Sequence, residues 1–315
     1  MQYKLMDADS FCSYTKDFAR LYETCFPGQS MSAESVEWRY LHNPNEGLYI
    51  CSAFDGSDLV GSYSVSPIIL NVFGKNVRAS QSLHTMTHPK YSGRGIFTDM
   101  AKIIYNKLEE DGHELVLLYP NYLSNYTFIR KLESSPVYEI PTLQLDLNGI
   151  TLDLPFPQKT IRDDEFNLHH STCSWHGKKN ISYNKDAEYL RWRFFENPSF
   201  DYQCFVIIDD SGAVRSRAVC KEYQNIYNIV DYYFANEDDA RSLIYKAILY
   251  AEKSGKKSVT TWCPQGIFEH LVFERFGFRN RYPVTYFAVK MLNSASGDYT
   301  DYREWAILPG DDNIF

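Results

Sequence analysis

Hydrophobic and polar positions follow the same pattern twice along this chain. Trp38-Arg39-Tyr40-Leu41-His42-Asn43-Pro44 returns 154 residues later as Trp192-Arg193-Phe194-Phe195-Glu196-Asn197-Pro198. Self-similarity of this kind constrains the fold more than any single element does. The register persists downstream, with Asp55 over Asp209, Val60 over Val214 and Ser62 over Ser216. Each copy predicts a helix stopped at Asn-Pro, a strand, a tight turn (Asp55-Gly56 or Asp210-Ser211-Gly212) and a second strand. Apolar residues then recur at helical spacing from Ala101 to Gly112 and from Lys246 to Gly255, and each run closes on a glycine suited to a left-handed cap. A strand follows in both halves, Leu115 to Tyr119 and Ser258 to Cys263, then Pro120 or Pro264 and a last helix. The predicted order in each half is helix, hairpin, strand, helix, strand, helix, strand. That is an α+β fold whose mixed, mostly antiparallel sheet is flanked by helices. Leu152 to Pro157 contains Leu-Pro-Phe-Pro, which interrupts regular structure and separates residues 1–152 from 153–315. Tyr105 over Tyr250 is a spacing nine residues shorter, so the second half has lost residues between its hairpin and its main helix.

Composition narrows the function. The chain has 315 residues, 44% hydrophobic and 23% charged, as a globular protein does. Against 32 basic residues stand 40 acidic ones, for a net charge of -8, and no Lys/Arg block offers a track for nucleic acid. A phosphorylated ligand would have to be held by backbone N–H groups or single arginines. Cys12, Cys25, Cys51, Cys173, Cys204, Cys220 and Cys263 are odd in number and never spaced C-x-x-C, which suits reduced thiols in a cytoplasm and neither a disulfide framework nor a zinc site. His169, His170 and His176 lack fixed ligand spacing, so no metal is expected. The opening residues have no apolar leader core, and no run approaches membrane-spanning length. Trp305 and Phe315 should dock the C-terminal tail as an ordered edge.

Candidate chemistry concentrates where the first half carries the extra residues. From Thr85 to Thr98 the sequence reads TMTHPKYSGRGIFT. A strand passing through Pro and a Gly-rich turn into a helix aims several N–H groups at one point, and the helix dipole adds positive charge there. A pyrophosphate fits such a nest, and Gly93 and Gly95 let the backbone approach it. The second half runs from its hairpin into Glu237-Asp238-Asp239 without glycine or proline, an acidic helix start that repels phosphate.

The stretch around Ser92-Gly93-Arg94-Gly95-Ile96-Phe97 resembles motif A of the GNAT (Gcn5-related N-acetyltransferase) superfamily, usually Arg/Gln-x-x-Gly-x-Gly/Ala. Asn121-Tyr122-Leu123-Ser124 with Phe128 resembles the family's next element, Asn-x-x-Ala followed by Tyr. Ser92 stands where the family has Arg or Gln, and Phe128 where many members place a Tyr that protonates the leaving thiolate. The resemblance implies two tandem GNAT folds, an acyl-CoA co-substrate (acetyl-CoA or a longer or hydroxylated acyl-CoA) and direct transfer to an amine. It implies that Thr85, Met86, Thr87, Ser92 to Phe97, Asn121, Ser124 and Phe128 line the CoA site, with the Thr85 or Met86 N–H polarising the thioester carbonyl.

His84, on the motif-A strand, is the first candidate for the base that receives the amine's proton, with Asp231 as an alternative and Tyr122 or Tyr126 as donors to the thiolate. A structural role is open for each. Trp38, Arg39, Tyr126 and Tyr232 are candidates for the acceptor side, although recurrence of Trp-Arg in both halves favours a structural duty for that pair. The subset most resembled acylates nucleotide-linked amino sugars, for example a dTDP-3-amino-3,6-dideoxyhexose. Another small amine, a FemX-like aminoacyl transfer, or a non-catalytic acyl-CoA sensor are the alternatives.

Overall fold

The computed structural model describes residues 1–149, 161–163, 173–175, 177–292 and 297–312. The expected interdomain boundary, the three clustered histidines and Phe315 lie outside the described residues. Strand β1 (Gln2–Leu5) leads into helix α1 (Ala8–Cys25), where Asp7 accepts from the Ser10 N–H at 2.7 Å. Phe11, Phe18 and Leu21 bury its inner face. Helix α2 (Ala33–Leu41) is capped in the same way by Ser32. The hairpin strands are β2 (Tyr49–Asp55), β3 (Asp58–Val72) and β4 (Lys75–Thr87). Helix α3 (Ile96–Glu110) follows, burying Ile96, Met100, Ile104 and Leu108, and then β5 (Leu115–Leu118). The last elements of this half are the short α4 (Tyr122–Tyr126), which widens into a π turn over Thr127–Lys131, and β6 (Ser135–Asp146).

Two short strands, β7 (Arg162–Asp163) and β8 (Ile181–Tyr183), precede α5 (Ala187–Leu190) with its own π turn over Arg191–Phe195. The order then recurs as β9 (Tyr202–Ile208), β10 (Val214–Tyr223), β11 (Ile226–Tyr233), α6 (Glu237–Lys253), β12 (Ser258–Thr261), α7 (Phe268–Arg275) and β13 (Arg279–Met291). Strand β14 (Trp305–Ala306) pairs with β8.

Twelve of the strands run in the order β1-β2-β3-β4-β5-β13-β6-β12-β11-β10-β9-β7. The centre of this order is an exchange. Strand β13 of the second half pairs with β5 of the first, while β6 of the first half pairs with β12 of the second. The two exchanged strands also pair with each other. The result is an α+β fold with one large mixed sheet flanked by helices, and its length fits two GNAT-like units. The seam is also fastened by the recurring tryptophans. Trp38 and Trp192 stack with ring centroids 5.2 Å apart, and each indole N–H donates to the other's backbone carbonyl, at 2.9 and 3.1 Å. Reciprocal contacts of this kind are the mark of two-fold pairing, here within one chain. The tail docks through Trp305, which is fully buried and donates to the Tyr299 carbonyl at 3.1 Å. No described helix is long and apolar enough to cross a membrane.

Candidate active site

Strand β4 outruns its parallel neighbour. Pairing with β5 covers only Ala79 to Gln81, so among the described residues Ser82 to Thr87 present an edge toward β5 that no strand occupies. On the other side, β4 stays paired with β3, and the register slips there: Val65 faces Ser82 and Tyr63 faces Thr85, leaving Leu83 and His84 opposite Ser64. Such a bulge frees backbone groups from the ladder and re-aims side chains, a device common beside active sites. Met86 points into the core under α1 and α2 and is fully buried, so only its backbone can meet a ligand. The Thr87 N–H turns toward the Cys25 sulfur.

The strand ends in a short turn, Pro89–Tyr91, where the Tyr91 and Ser92 N–H groups bond to His88 and Pro89 carbonyls. Tyr91 donates to Asp55 at 2.7 Å, and the Arg94 guanidinium lies 4.9 Å over the Tyr91 ring while donating to the Lys90 carbonyl. The turn is thus fixed by its own neighbours. Gly93 and Gly95 have φ of +77° and +82°, and a Cβ on either would enter open space. Ser92 to Gly95 are exposed. Helix α3 begins at Gly95 without a side-chain cap, and its first internal bond is from Asp99 N to Gly95 O at 3.0 Å. Among the described residues, the N–H groups from Gly93 to Thr98 have no protein acceptor. Gly61 lets the helix start settle on the sheet, since a Cβ there would lie 3.1 Å from Ile96. Uncapped amides at an exposed helix start, beside an open strand edge, fit the diphosphate and extended arm of CoA.

The matching place in the second half is closed by side chains. Asn236 caps α6 by accepting from Asp239 N at 2.9 Å, and Ser216 takes up the Ala235 N–H at 2.9 Å. Asp239 is fully buried and held by both Arg215 and Ser216. Thr261 Oγ1 donates to the Ile229 carbonyl at 2.8 Å, bridging β11 to β12 where their own pairing ends.

His84 is 9% exposed and sits in an aromatic nest of Phe18, Tyr22 and Tyr40. The Tyr40 hydroxyl lies 2.6 Å from His84 Nδ1 and 2.7 Å from Ser64 Oγ. Burial, and then the nearby Arg39 guanidinium, push the imidazole down to about 3. At that value it stays neutral at physiological pH and cannot retain a proton taken from an ammonium. Its environment therefore withdraws the basicity expected of it and leaves a neutral, hydrogen-bonding side chain.

Four other expectations are corrected by burial. Asp231 is fully buried and shared between Lys185 and Arg217, whose charges hold it below its usual range although burial alone would raise it. It is a fully buried anion whose two oxygens are taken by Lys185 and Arg217. Tyr232 is fully buried, stacked on Phe234, and spends its hydroxyl on the Trp262 carbonyl at 3.1 Å. Trp38 is engaged by Trp192, as described, and does not face a ligand. Phe128 packs in the core against Phe97 and Tyr63 rather than lining an open surface.

Of the remaining expected residues, the Ile96 side chain is buried and Phe97 packs against Tyr63 and Phe128, while the others keep some exposure. Tyr122 and Tyr126 are exposed on α4. Asn121 Oδ1 caps that helix, accepting from the Leu123 and Ser124 N–H groups and from Ser124 Oγ. Arg39 is half-buried, its guanidinium 5.0 Å from the Trp38 ring centroid. The Tyr40–Ser64 pair behind His84 was missed. A signal existed within the repeat, since Tyr40 matches Phe194 and only the first copy has a hydroxyl at that position.

Residues 12–135 match the sequence profile of the acetyltransferase (GNAT) domain. A search of curated proteins returns no match. Among solved structures, the chain is similar to a conserved protein from Enterococcus faecalis described as a probable N-acyltransferase, with a TM-score of 0.68 and 13% identity over 93% of this chain and 73% of that one. A GCN5-related N-acetyltransferase from Anabaena variabilis has a TM-score of 0.68 and 14% identity, with the same 93% and 73% coverage. Saccharomyces cerevisiae N-myristoyltransferase with bound myristoyl-CoA has a TM-score of 0.66 and 12% identity, covering 97% of this chain and 86% of that chain. At such identities the likeness is one of fold. The open strand edge and the uncapped turn both fall inside residues 12–135, the segment that matches the acetyltransferase (GNAT) domain profile.

Proposed function

We propose that this protein is a cytoplasmic acyl-CoA-dependent N-acyltransferase, built from two GNAT-like units, of which only the first binds acyl-CoA. Its acceptor is the primary amine of a small molecule held at the seam between the units, in our reading a nucleotide-linked amino sugar. The observation that carries the acyl-CoA site is the run of unaccepted amides from Gly93 to Thr98 at the mouth of the open β4 edge. Those amides would hold the diphosphate, and the edge from Ser82 to Thr87 would pair with the pantetheine arm. The bulge at Leu83 and His84 supports a backbone N–H, on Thr85 or Met86, aimed at the thioester oxygen.

In the reaction the neutral amine attacks the thioester carbonyl carbon, forming the C–N bond as the C–S bond breaks. The amine's proton passes through water to the departing thiolate, which accepts one readily near neutral pH because an ordinary thiol titrates at about 8.5. His84, fixed by Tyr40, would orient the amine, and no protein nucleophile is needed. The test is a calorimetric titration with CoA. Wild type should show one site, and Gly95→Glu, which places a carboxylate where the diphosphate belongs, should lose at least a hundredfold in affinity. Equal affinity in the two proteins would remove the site.

A further inference from the structure

The two units carry the same strand fork, one open and one closed. In the first, β4 pairs with β5 from Ala79 to Gln81, against Leu115 to Leu117, and then leaves it. In the second, β11 pairs with β12 from Ile226 to Asn228, against Ser258 to Thr260, and then leaves it. The last paired residue is a carboxamide in both, Gln81 and Asn228. Asn228 is satisfied, because its register partner Thr260 donates a hydroxyl to Oδ1 at 2.7 Å, and Thr261 then ties the strands together as described. The register partner of Gln81 is Leu117, which is fully buried and offers no polar side-chain atom. Gln81 is 6% exposed, and its Nε2 is buried with no hydrogen-bond partner among the described residues.

A buried amide nitrogen left unbonded costs stability, so its presence in a folded protein calls for a reason. The position of Gln81 supplies one. It is the last residue of β4 before the open edge from Ser82 to Thr87, and so stands at the closed end of the gap between β4 and β5. Its partner on the other side is Ser66 of β3, and cross-strand partners project from the same face. On that face Asn43 donates to Ser66 Oγ at 2.6 Å. Two residues along β3, Ser64 Oγ meets the Tyr40 hydroxyl that also holds His84. Gln81 and His84 therefore share one face of the sheet. A cofactor that enters at Gly93 and has its thioester polarised at Thr85 or Met86 would point its acyl group back along β4, toward Gln81.

We propose that Gln81 selects the acyl group: its side-chain N–H donates to an oxygen carried on the acyl chain, so the donor substrate is an oxygen-bearing acyl-CoA, such as a hydroxyacyl-CoA, and not a plain saturated one. The assignment rests on the acyltransfer reading for its cofactor, and it adds the chemical class of the group transferred. A site built to bond an oxygen rejects the chain that lacks it, because the amide then stays unpaired in the occupied site as well. Gln81 takes no part in bond making or breaking; it sets specificity.

The test titrates the full chain by calorimetry with CoA, butyryl-CoA, racemic 3-hydroxybutyryl-CoA and acetoacetyl-CoA, the three thioesters differing only at the third carbon of the chain. Wild type should bind at least one of the two oxygenated thioesters about tenfold more tightly than butyryl-CoA. Gln81→Met keeps the length of the side chain and removes the amide. It should erase that preference while leaving the affinity for CoA itself unchanged. Without ligand, Gln81→Met should melt no lower than wild type, since it removes an unpaired buried amide at nearly constant volume. A clearly lower melting temperature would give Gln81 a structural duty and overturn the proposal. No preference in wild type, or the same preference in Gln81→Met, would overturn it too, and with CoA still bound would leave the acyltransfer reading standing. Failure of CoA to bind wild type would remove that reading and this proposal together.

Discussion

At the scale of single residues, burial decides which titratable groups can take part in chemistry. His84 and His113 are both pushed down by burial, to about 3 and about 4, well below an unfolded histidine near 6.5. As pH falls through that window the unfolded chain takes up protons that the folded one refuses, so stability declines from about pH 6.5 toward pH 3 and is greatest above it. Buried carboxylates with lowered values, such as Asp231, act in the same direction, so a comparison is needed to isolate the imidazole. His84→Gln should therefore show a smaller drop in melting temperature between pH 7 and pH 4.5 than wild type does. An equal drop would mean that His84 is protonated in the folded state after all. Once an acceptor is in hand, the rate profile should lack a limb near pH 6.5 attributable to His84.

At the scale of elements, the seam between α2 and α5 depends on two indoles that satisfy each other. Trp38→Phe or Trp192→Phe would each leave a buried carbonyl without its donor, at about 1–3 kcal/mol. Because the rings also stack, the double variant should be less unstable than the sum of the single ones by about 0.5–1.5 kcal/mol. Denaturant unfolding of the four proteins measures that coupling, and strict additivity would show that the rings stabilise the seam independently. The open edge of β4 and the uncapped start of α3 follow the opposite logic: polar backbone groups are left unpaired at the surface, where water or a ligand can take them.

At the scale of the whole molecule, the strand exchange makes folding a joint affair. Without β13, residues 1–149 would keep β5 and β6 with no strand between them. That fragment should populate a partly structured, aggregation-prone state, whereas the full chain should unfold in one cooperative step. Hydrogen exchange on both samples tests this, and slow, native-like protection of β5 in the fragment would show that the first unit folds alone.

The linear pattern determined the elements and the recurrence. Trp-Arg-aromatic before Asn-Pro, the paired amphipathic helices and the glycine turn before Ile96 are local signals, because capping, periodicity and left-handed backbone depend on near neighbours. They were enough to locate the exposed, uncapped turn at the start of α3. Which side chains reach that turn was decided by tertiary structure. Asp231, Tyr232 and Trp38 are chemically able residues that close packing buried, and Tyr40 meets His84 and Ser64 only because the sheet brings α2 over them. The exchange of β6 and β13 was likewise invisible, because strand pairing depends on contacts between segments that sequence spacing does not encode.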